Sequence, residues 1–235
     1  FLAEKADIAF MSKDEEAAKE ADDLMAFLTP IAKAFCTERG FESANEGVQV
    51  FGGHGFIREW GMEQIVRDTR ISMLYEGTTG IQALDLLGRK VMLTQGQLLK
   101  NFTKVIHKFC KDNADNEALA QYVEPLAKLN KEWGDITTQI GMKAMQNQDE
   151  IGAASVDYAM YSGYVTFAYL WARMAKVAAD KIAEGSDDAF YTAKLQTASF
   201  YFKRILPRTR TCVETMLNGS LETLMDMEED NFGFY

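Results

Sequence analysis

The chain has 235 residues, of which 47% are hydrophobic and 26% charged, as in an ordinary globular protein. Its formal net charge of -10 argues against a nucleic-acid-binding surface, because binding to phosphates requires a basic face. The 3 cysteines lie far apart and there are only 2 histidines, so no metal site is predicted. Scattered cysteines favour a reducing, cytoplasmic compartment over a disulfide scaffold.

The first residues resemble neither a signal peptide nor a natural start of translation. Residues 1–7 contain no basic stretch followed by an apolar run, and no initiator methionine is present. We therefore expect the chain to begin inside a longer protein. The longest apolar stretch, Tyr158 to Ala172, is shorter than the roughly 20 residues that a membrane span needs. It is predicted to be a buried helix of a bundle.

The composition predicts an all-α fold. There are only 3 prolines, and no run of β-branched residues alternates with polar ones. Ser12 and Glu15 form a capping-box pattern that predicts a helix to about residue 27. Thr29 followed by Pro30 predicts the start of a second helix. This helix is expected to turn Ile31, Phe35 and Cys36 inward.

Two glycine-containing breaks follow. Gly40 is expected to end or bend the second helix, and a third helix is predicted over about residues 42–51. The Gly52-Gly53-His54-Gly55 string must then interrupt the helix. A helix over about 62–74, on which Ile65, Ile71, Met73 and Leu74 are expected to supply apolar contacts, leads to the second break, residues 76–80. A capping-box pattern at Thr79 and Gln82 starts a helix to about residue 93, on which Asp85 and Arg89 have i,i+4 spacing.

After residue 93 the predicted helices become longer, and residues 94–97 are expected to be a junction. We predict one domain over residues 1–93 and a second over residues 97–235. The second is expected to be an up-and-down bundle of long helices. Its helices are predicted over about 97–112, 116–147, 150–184, 187–205 and 207–226.

Glu76 lies in the second break, between two helices, and is followed by Gly77. Glycine beside a carboxylate lets another molecule approach the backbone, and the free amides of the next helix can donate to an oxygen. A carboxylate in a loop is usually an idle surface residue, so this pattern alone is weak evidence for a catalytic site.

A combination of three motifs points to one specific family. Residues 48–56 (VQVFGGHGF), 66–71 (VRDTRI) and 75–78 (YEGT) have the order and spacing of one family. The sequence over about residues 30–92 closely resembles the C-terminal helical domain of the acyl-CoA dehydrogenases. The remainder resembles an additional helical domain of a long-form subgroup that includes the 3-methylmercaptopropionyl-CoA dehydrogenases. The strings that carry this second resemblance are residues 163–165, 170–175 and 194–209.

The resemblance implies a flavin-dependent oxidation of an acyl-CoA thioester. In the family, the glutamate at the position of Glu76 removes a proton from Cα, while a hydride leaves Cβ for FAD and a trans-2 double bond forms. The backbone amide of Glu76 would stabilise charge on the thioester oxygen. Tyr75 and Gly77 would line the substrate site. The expected partners are the acyl-CoA substrate, further copies of the chain and an electron-transfer flavoprotein.

The resemblance also implies which residues contact the cofactor. Gln49, Gly52 and Gly53 match a segment that touches the ADP half of FAD, often that of a neighbouring subunit, and Thr78 matches a flavin contact. Many relatives have glutamine where this chain has Gly80, so the side-chain contact that this glutamine makes with adenosine is not expected here. Residues Arg67, Asp68 and Arg70 match no catalytic position and are expected to form a structural ion-pair cluster.

Three interpretations remain open at this point, and the first is that the chain is part of a dehydrogenase. The N-terminal helical and middle β-domains of the family are not in this sequence, so we expect the isolated chain to bind no FAD tightly and to be inactive. The chain could instead act as a non-catalytic oligomerisation or docking module through residues 97–235. It could also belong to an acyl-CoA oxidase or a nitroalkane oxidase, although the latter would favour aspartate in place of Glu76.

Overall fold

The structure, a computed structural model, describes residues 1–233, which form ten α-helices and no β-strand. Short 3-10 and π-helical turns join or extend several of the helices. The α-helices are α1 (Leu2–Met11), α2 (Glu15–Phe51), α3 (Gly53–Phe56), α4 (Met62–Arg70), α5 (Thr79–Leu84), α6 (Gln97–Asp112), α7 (Ala120–Ala144), α8 (Asp149–Ala183), α9 (Ala189–Phe200) and α10 (Thr209–Leu217). The all-α prediction is therefore confirmed for the described residues.

The three helices predicted before the glycine string are one continuous helix, α2. Asp14, not Ser12, caps its start, because the Asp14 carboxylate accepts from the amides of Glu16 and Ala17. Thr29 does not begin a new helix, since its Oγ1 donates back to the carbonyl of Met25 at 2.7 Å. Pro30 lies inside the helix and is buried. Packing of the flanking apolar residues outweighs the backbone hydrogen bond that proline cannot make.

The inward face of α2 differs from the prediction at one position. Ile31 and Phe35 are 1% exposed, as predicted, but Cys36 is exposed on the surface. Successive residues of an α-helix are rotated by about 100°, so the residue after Phe35 points away from the core.

The buried side chains form a single hydrophobic cluster that extends from α2 and α5 to α10. The ring of Phe27 on α2 lies 5.9 Å from the rings of both Phe102 on α6 and Trp133 on α7. Helix α8 passes through the centre of this cluster, and Tyr158 and Tyr161 on it are fully buried. The apolar stretch from Tyr158 to Ala172 thus lies within a buried bundle helix. Among the described residues, no helix has the length and apolarity that a membrane crossing requires.

The helices after residue 97 follow the predicted pattern, with one interruption. The segment predicted as a helix over residues 207–226 contains α10, which stops before Asn218 and Gly219. Gly219 has a φ of 77°, so the helix cannot continue through it, and a π-helical turn covers Leu221–Met225. The domain boundary between residues 93 and 97 stays a prediction.

Candidate functional site

Helix α4 runs antiparallel to the C-terminal half of α2. Gly47 of α2 faces Met62 at the start of α4, and Gly40 faces Thr69 near its end. The guanidinium carbon of Arg70 lies 5.9 Å from the ring centre of Phe41. The chain therefore leaves α2 at the glycine string, turns, and returns along α2 toward its middle.

The loop that contains Glu76 is fixed to the middle of α2 on both sides. Before the loop, the Lys33 ammonium donates to the carbonyl of Ser72 and lies 5.3 Å from the ring centre of Tyr75. After the loop, Thr79 Oγ1 donates to Glu38 Oε1 at 2.6 Å. Two side chains of α2 thus hold the loop at its ends.

The backbone of the loop has two successive residues with positive φ, Glu76 at 57° and Gly77 at 93°. A side chain at position 77 would meet Gln82, since a Cβ placed there would lie 2.6 Å from Gln82 Nε2. That Nε2 atom donates to the carbonyl of Glu76 at 3.0 Å. A left-handed conformation costs a non-glycine residue roughly 1–2 kcal/mol, and such strain often accompanies a functional position.

Thr78, and not Thr79, caps helix α5. The Ile81 amide donates to Thr78 Oγ1 at 3.4 Å, and Gln82 reaches back to a carbonyl instead of to an amide. The capping box predicted at Thr79 and Gln82 is therefore wrong, and the cap lies one residue earlier, at Thr78. Thr79 is instead committed to its contact with Glu38.

The carboxylate of Glu76 is exposed, and no described residue forms a salt bridge or hydrogen bond with it. The backbone amide of Glu76 likewise donates no hydrogen bond within residues 1–233, whereas the amides of Leu74 and Tyr75 both donate to the carbonyl of Ile71. One residue thus presents a free carboxylate and a free amide donor at the surface. This combination can accept a proton and stabilise a nearby oxygen that gains charge.

The glycine string forms an open surface at the far end of α2. Gly52 has a φ of 59° and its amide donates to the carbonyl of Gln49 at 3.0 Å, which ends the helix. A Cβ placed on either Gly52 or Gly53 would have no other atom within 4 Å, and both residues are exposed together with Gln49. A large ligand can approach this backbone closely, so these residues fit the contact expected for the ADP half of FAD. Thr78 is exposed as well.

The structure does not bring these two segments together within one chain. The Glu76 loop is attached at Glu38, and the glycine string begins at Gly52, 14 residues further along the same helix. At 1.5 Å per residue, this is a separation of about 21 Å along the axis of α2. A compact ligand cannot touch both segments of one chain.

The predicted ion-pair cluster of Arg67, Asp68 and Arg70 is wrong. Asp68 accepts from Gln64 Nε2 at 2.6 Å, and Arg70 lies over the ring of Phe41. Helical residues one or two positions apart point in different directions, so Asp68 cannot face either arginine. The pair at i,i+4 spacing does form, since Arg89 Nε lies 2.6 Å from Asp85 Oδ1.

A band of apolar side chains around both segments is exposed, which the sequence pattern did not predict. Ile65, Ile71 and Leu74, three of the residues expected to supply apolar contacts, are 49%, 56% and 48% exposed. Periodicity identifies an apolar face but not the surface that covers it. The other members of this band are Val50, Phe51, Phe56, Ile57, Trp60, Tyr75, Ile81 and Leu84.

Comparison with known proteins gives two family matches that cover most of the chain. Residues 10–92 match the family described as acyl-CoA dehydrogenase, C-terminal domain. Residues 102–228 match the family described as acetyl-CoA dehydrogenase C-terminal like.

Several enzymes are similar to this chain. A 3-methylmercaptopropionyl-CoA dehydrogenase of Ruegeria pomeroyi is 37% identical over 82% of the chain and 33% of its own length. A broad-specificity linear acyl-CoA dehydrogenase of Mycobacterium tuberculosis is 34% identical over 89% of the chain and 36% of its own length. A butyryl-CoA dehydrogenase of Syntrophomonas wolfei is 29% identical over 88% of the chain and 35% of its own length. The chain spans about a third of the length of these curated relatives.

Proposed function

Because the chain belongs to the acyl-CoA dehydrogenase family, we propose that it is the C-terminal part of a longer FAD-dependent enzyme that introduces a trans-2 double bond into an acyl-CoA. The observation that carries this proposal is the state of Glu76. Its carboxylate has no partner among the described residues, and its loop is fixed to α2 through Lys33 and Thr79.

Glu76 is the proposed base that takes the proton from Cα of the thioester. Its own backbone amide, which donates to no described residue, is the proposed donor to the thioester oxygen as charge develops there. Tyr75 and Gly77 are proposed to line the substrate site on either side. The contact of Lys33 with Tyr75 and the bond from Gln82 to the Glu76 carbonyl restrict the backbone of the loop from which the carboxylate projects.

Gln49, Gly52, Gly53 and Thr78 are proposed to contact the FAD, which when bound supplies the acceptor for the hydride from Cβ. The separation of about 21 Å along α2 between the glycine string and the Glu76 loop supports contacts with the FAD groups of two different subunits. The proposed assembly is therefore a homo-oligomer. At Gly80 a Cβ would meet no other atom within 4 Å, so the backbone is accessible where many relatives have glutamine.

The exposed apolar band supports a larger assembly around this chain. Large apolar side chains exposed in such numbers usually mark a face that another protein surface covers. We propose that the isolated chain binds no FAD tightly and has no dehydrogenase activity, because it spans only about a third of its relatives. A purified chain with a near-stoichiometric flavin absorbance band would contradict this part of the proposal.

The decisive test replaces Glu76 in the longer protein. We expect Glu76→Gln to retain FAD and to bind acyl-CoA, while flavin reduction by acyl-CoA slows by about 10²-fold or more. Exchange of the Cα proton with D2O should slow to the same extent, since that step needs no hydride transfer. The matched control is Glu63→Gln on α4, which should leave both rates unchanged. Proton exchange at the parental rate in Glu76→Gln would rule out Glu76 as the base.

The electron acceptor distinguishes an acyl-CoA dehydrogenase from an acyl-CoA oxidase. We propose an electron-transfer flavoprotein as the acceptor, so oxygen consumption with acyl-CoA should stay slow and no hydrogen peroxide should accumulate. Rapid peroxide formation would instead establish an acyl-CoA oxidase. We also propose a cytoplasmic location, which is supported by the three unpaired thiols at Cys36, Cys110 and Cys212.

A further inference from the structure

Gln82 connects helix α5 to the loop that contains Glu76. The backbone of Gln82 is held in the first turn of the helix, since its amide donates to the Thr78 carbonyl at 3.0 Å and its carbonyl accepts from the Asp85 amide. Its half-buried side chain turns back toward the start of the helix, and Nε2 donates to the Glu76 carbonyl at 3.0 Å. A residue whose own backbone is held by a helix thus contacts the loop six positions before it.

The bond from Gln82 acts on the peptide unit that follows Glu76. A peptide unit is planar, so holding its carbonyl oxygen restricts the orientation of the whole plane, which depends on ψ of Glu76 and φ of Gly77. On the other side of Glu76, the Tyr75 amide donates to the Ile71 carbonyl at 3.2 Å, and the ring of Tyr75 faces Lys33. The Glu76 amide, which donates to no described residue, lies between these two held points.

The conformation held in this way is unfavourable for Glu76 by itself. Its φ of 57° lies in the left-handed region, where Cβ comes too close to the following carbonyl oxygen. A relaxed helical φ of about -63° differs from this value by about 120°. If Gln82 released the carbonyl, a change of that size would reorient the peptide units beside Glu76, and with them the amide N–H. The direction of the free amide therefore depends on the bond from Gln82.

Gly77 leaves the room that this contact needs. A Cβ placed at position 77 would lie 2.6 Å from Nε2 of Gln82 and 3.5 Å from its Cδ, so a larger residue would displace the donor. The φ of 93° at Gly77 also favours glycine. Gly77 and Gln82 are thus complementary, because one leaves the space and the other fills it with a donor to the Glu76 carbonyl.

We propose that Gln82 is a positioning residue for the proposed reaction, because its donor holds Glu76 in the left-handed conformation that directs the Glu76 amide to the thioester oxygen. This inference rests on the proposed function of Glu76, although Gln82 itself touches neither substrate nor cofactor. A misdirected amide stabilises the developing charge less well. Loss of Gln82 should therefore slow proton removal more than it weakens acyl-CoA binding.

A double-mutant cycle in the 235-residue chain tests the structural part without any activity. Glu76→Gly should raise the urea midpoint of the parent, because glycine tolerates a φ of 57°. In a Gln82→Ala background this gain should fall to about half or less, since the loop is then free to relax. Gln95, with a φ of 51°, is the matched control, and Gln95→Gly should give the same gain in both backgrounds. Equal gains from Glu76→Gly in both backgrounds would overturn the proposal.

The kinetic part uses the longer protein with FAD bound. Gln82→Ala should slow both Cα-proton exchange in D2O and flavin reduction by about tenfold or more, while KM for acyl-CoA changes by less than about threefold. Gln139→Ala, at an exposed position of α7, should leave all three values unchanged. Proton exchange at the parental rate in Gln82→Ala would overturn the proposal even if the stability cycle shows coupling.

A second variant covers the case in which Gln82→Ala does not fold. Gln82→Glu keeps the length of the side chain, but an ionised carboxylate cannot donate, so this variant should reproduce both effects at neutral pH. Failure of the proposed function gives a different result. Proton exchange at the parental rate in Glu76→Gln would remove Glu76 as the base and leave the stability cycle unchanged. Equal gains in the cycle would instead exclude Gln82 and leave Glu76 as the base.

Discussion

The carboxylate of Glu42 on α2 joins two parts of the chain that lie 166 positions apart. Its Oε1 accepts from Nη1 of Arg208 at 2.8 Å, and its Oε2 accepts from Nη1 of Arg39 at 2.5 Å. Arg39 also donates to the hydroxyl of Tyr164 on α8 at 3.2 Å. One acidic side chain thereby connects the helix that carries the proposed site to the C-terminal bundle.

Glu42→Gln should lower the free energy of unfolding by about 1 kcal/mol or less. Glu42 and Arg208 are 39% and 43% exposed, so solvent screens much of their attraction. Urea denaturation measures the change, and the effect should shrink in high salt. Glu46→Gln, which removes an exposed charge from the same helix, should change stability by less than about 0.5 kcal/mol. Equal losses in the two variants would show that the bridge itself contributes nothing.

Gly163→Ala should destabilise the chain by about 1–3 kcal/mol. A Cβ at position 163 would lie 2.7 Å from Cβ of Phe35 and closer still to its ring, which is packed against Tyr164 and Phe167 at 4.9 Å each. Gly134→Ala on α7 is the matched change, because no atom lies within 4 Å of a Cβ there. It should raise stability by about 0.5–1 kcal/mol. Thermal or urea unfolding of both variants should give shifts of opposite sign.

Glu76→Gly should raise the free energy of unfolding by up to about 1 kcal/mol over the parent, whereas Glu76→Ala should not. The φ of 57° at this position is strained for any residue with a Cβ. Gln95, with a φ of 51°, provides an internal reference outside the proposed site, and Gln95→Gly should give a similar gain. If only the Gln95 change stabilises the chain, the loop at Glu76 does not hold this conformation in solution.

Stability should fall as pH rises above about 9. Burial raises the pKa of the Cys110 thiol from 9.0 to about 11, and burial with the nearby Asp157 raises that of Cys212 to about 11. The folded state therefore keeps a proton that the unfolded state loses, so stability decreases with pH between these values. Each thiol can contribute up to about 1.4 kcal/mol per pH unit. Urea unfolding from pH 8 to 10.5 should show a shallower decrease for Cys110→Ala than for the parent.

Sequence patterns predicted the elements whose signals are local. The helices after residue 97 follow from their apolar periodicity, and Asp85 and Arg89 pair because i,i+4 spacing places them on one face. The helix predicted over residues 207–226 is interrupted at Gly219 because this residue has a positive φ. The sequence pattern alone does not reveal that backbone angle.

Other features depended on packing that a local pattern does not contain. Thr29 and Pro30 have the local chemistry of a helix start, yet the buried face of α2 continues through them. The exposure of Ile65, Ile71 and Leu74 could not be predicted, because an apolar stripe is the same whether its own chain or another surface covers it. The attachment of the Glu76 loop through Glu38 and Thr79 links residues 41 positions apart, and neither residue signals the other.

Because α2 is continuous, it fixes both the distance and the relative direction of the two proposed ligand contacts. Glu38 fixes the Glu76 loop, Gln49 lies one turn before the glycine string, and no break separates them. One residue inserted between Glu38 and Gln49 would swing the glycine string by about 100° and move it by about 1.5 Å. Insertions and deletions among homologous chains should therefore occur in the loops between helices. There they change neither the distance between the two contacts nor their relative orientation.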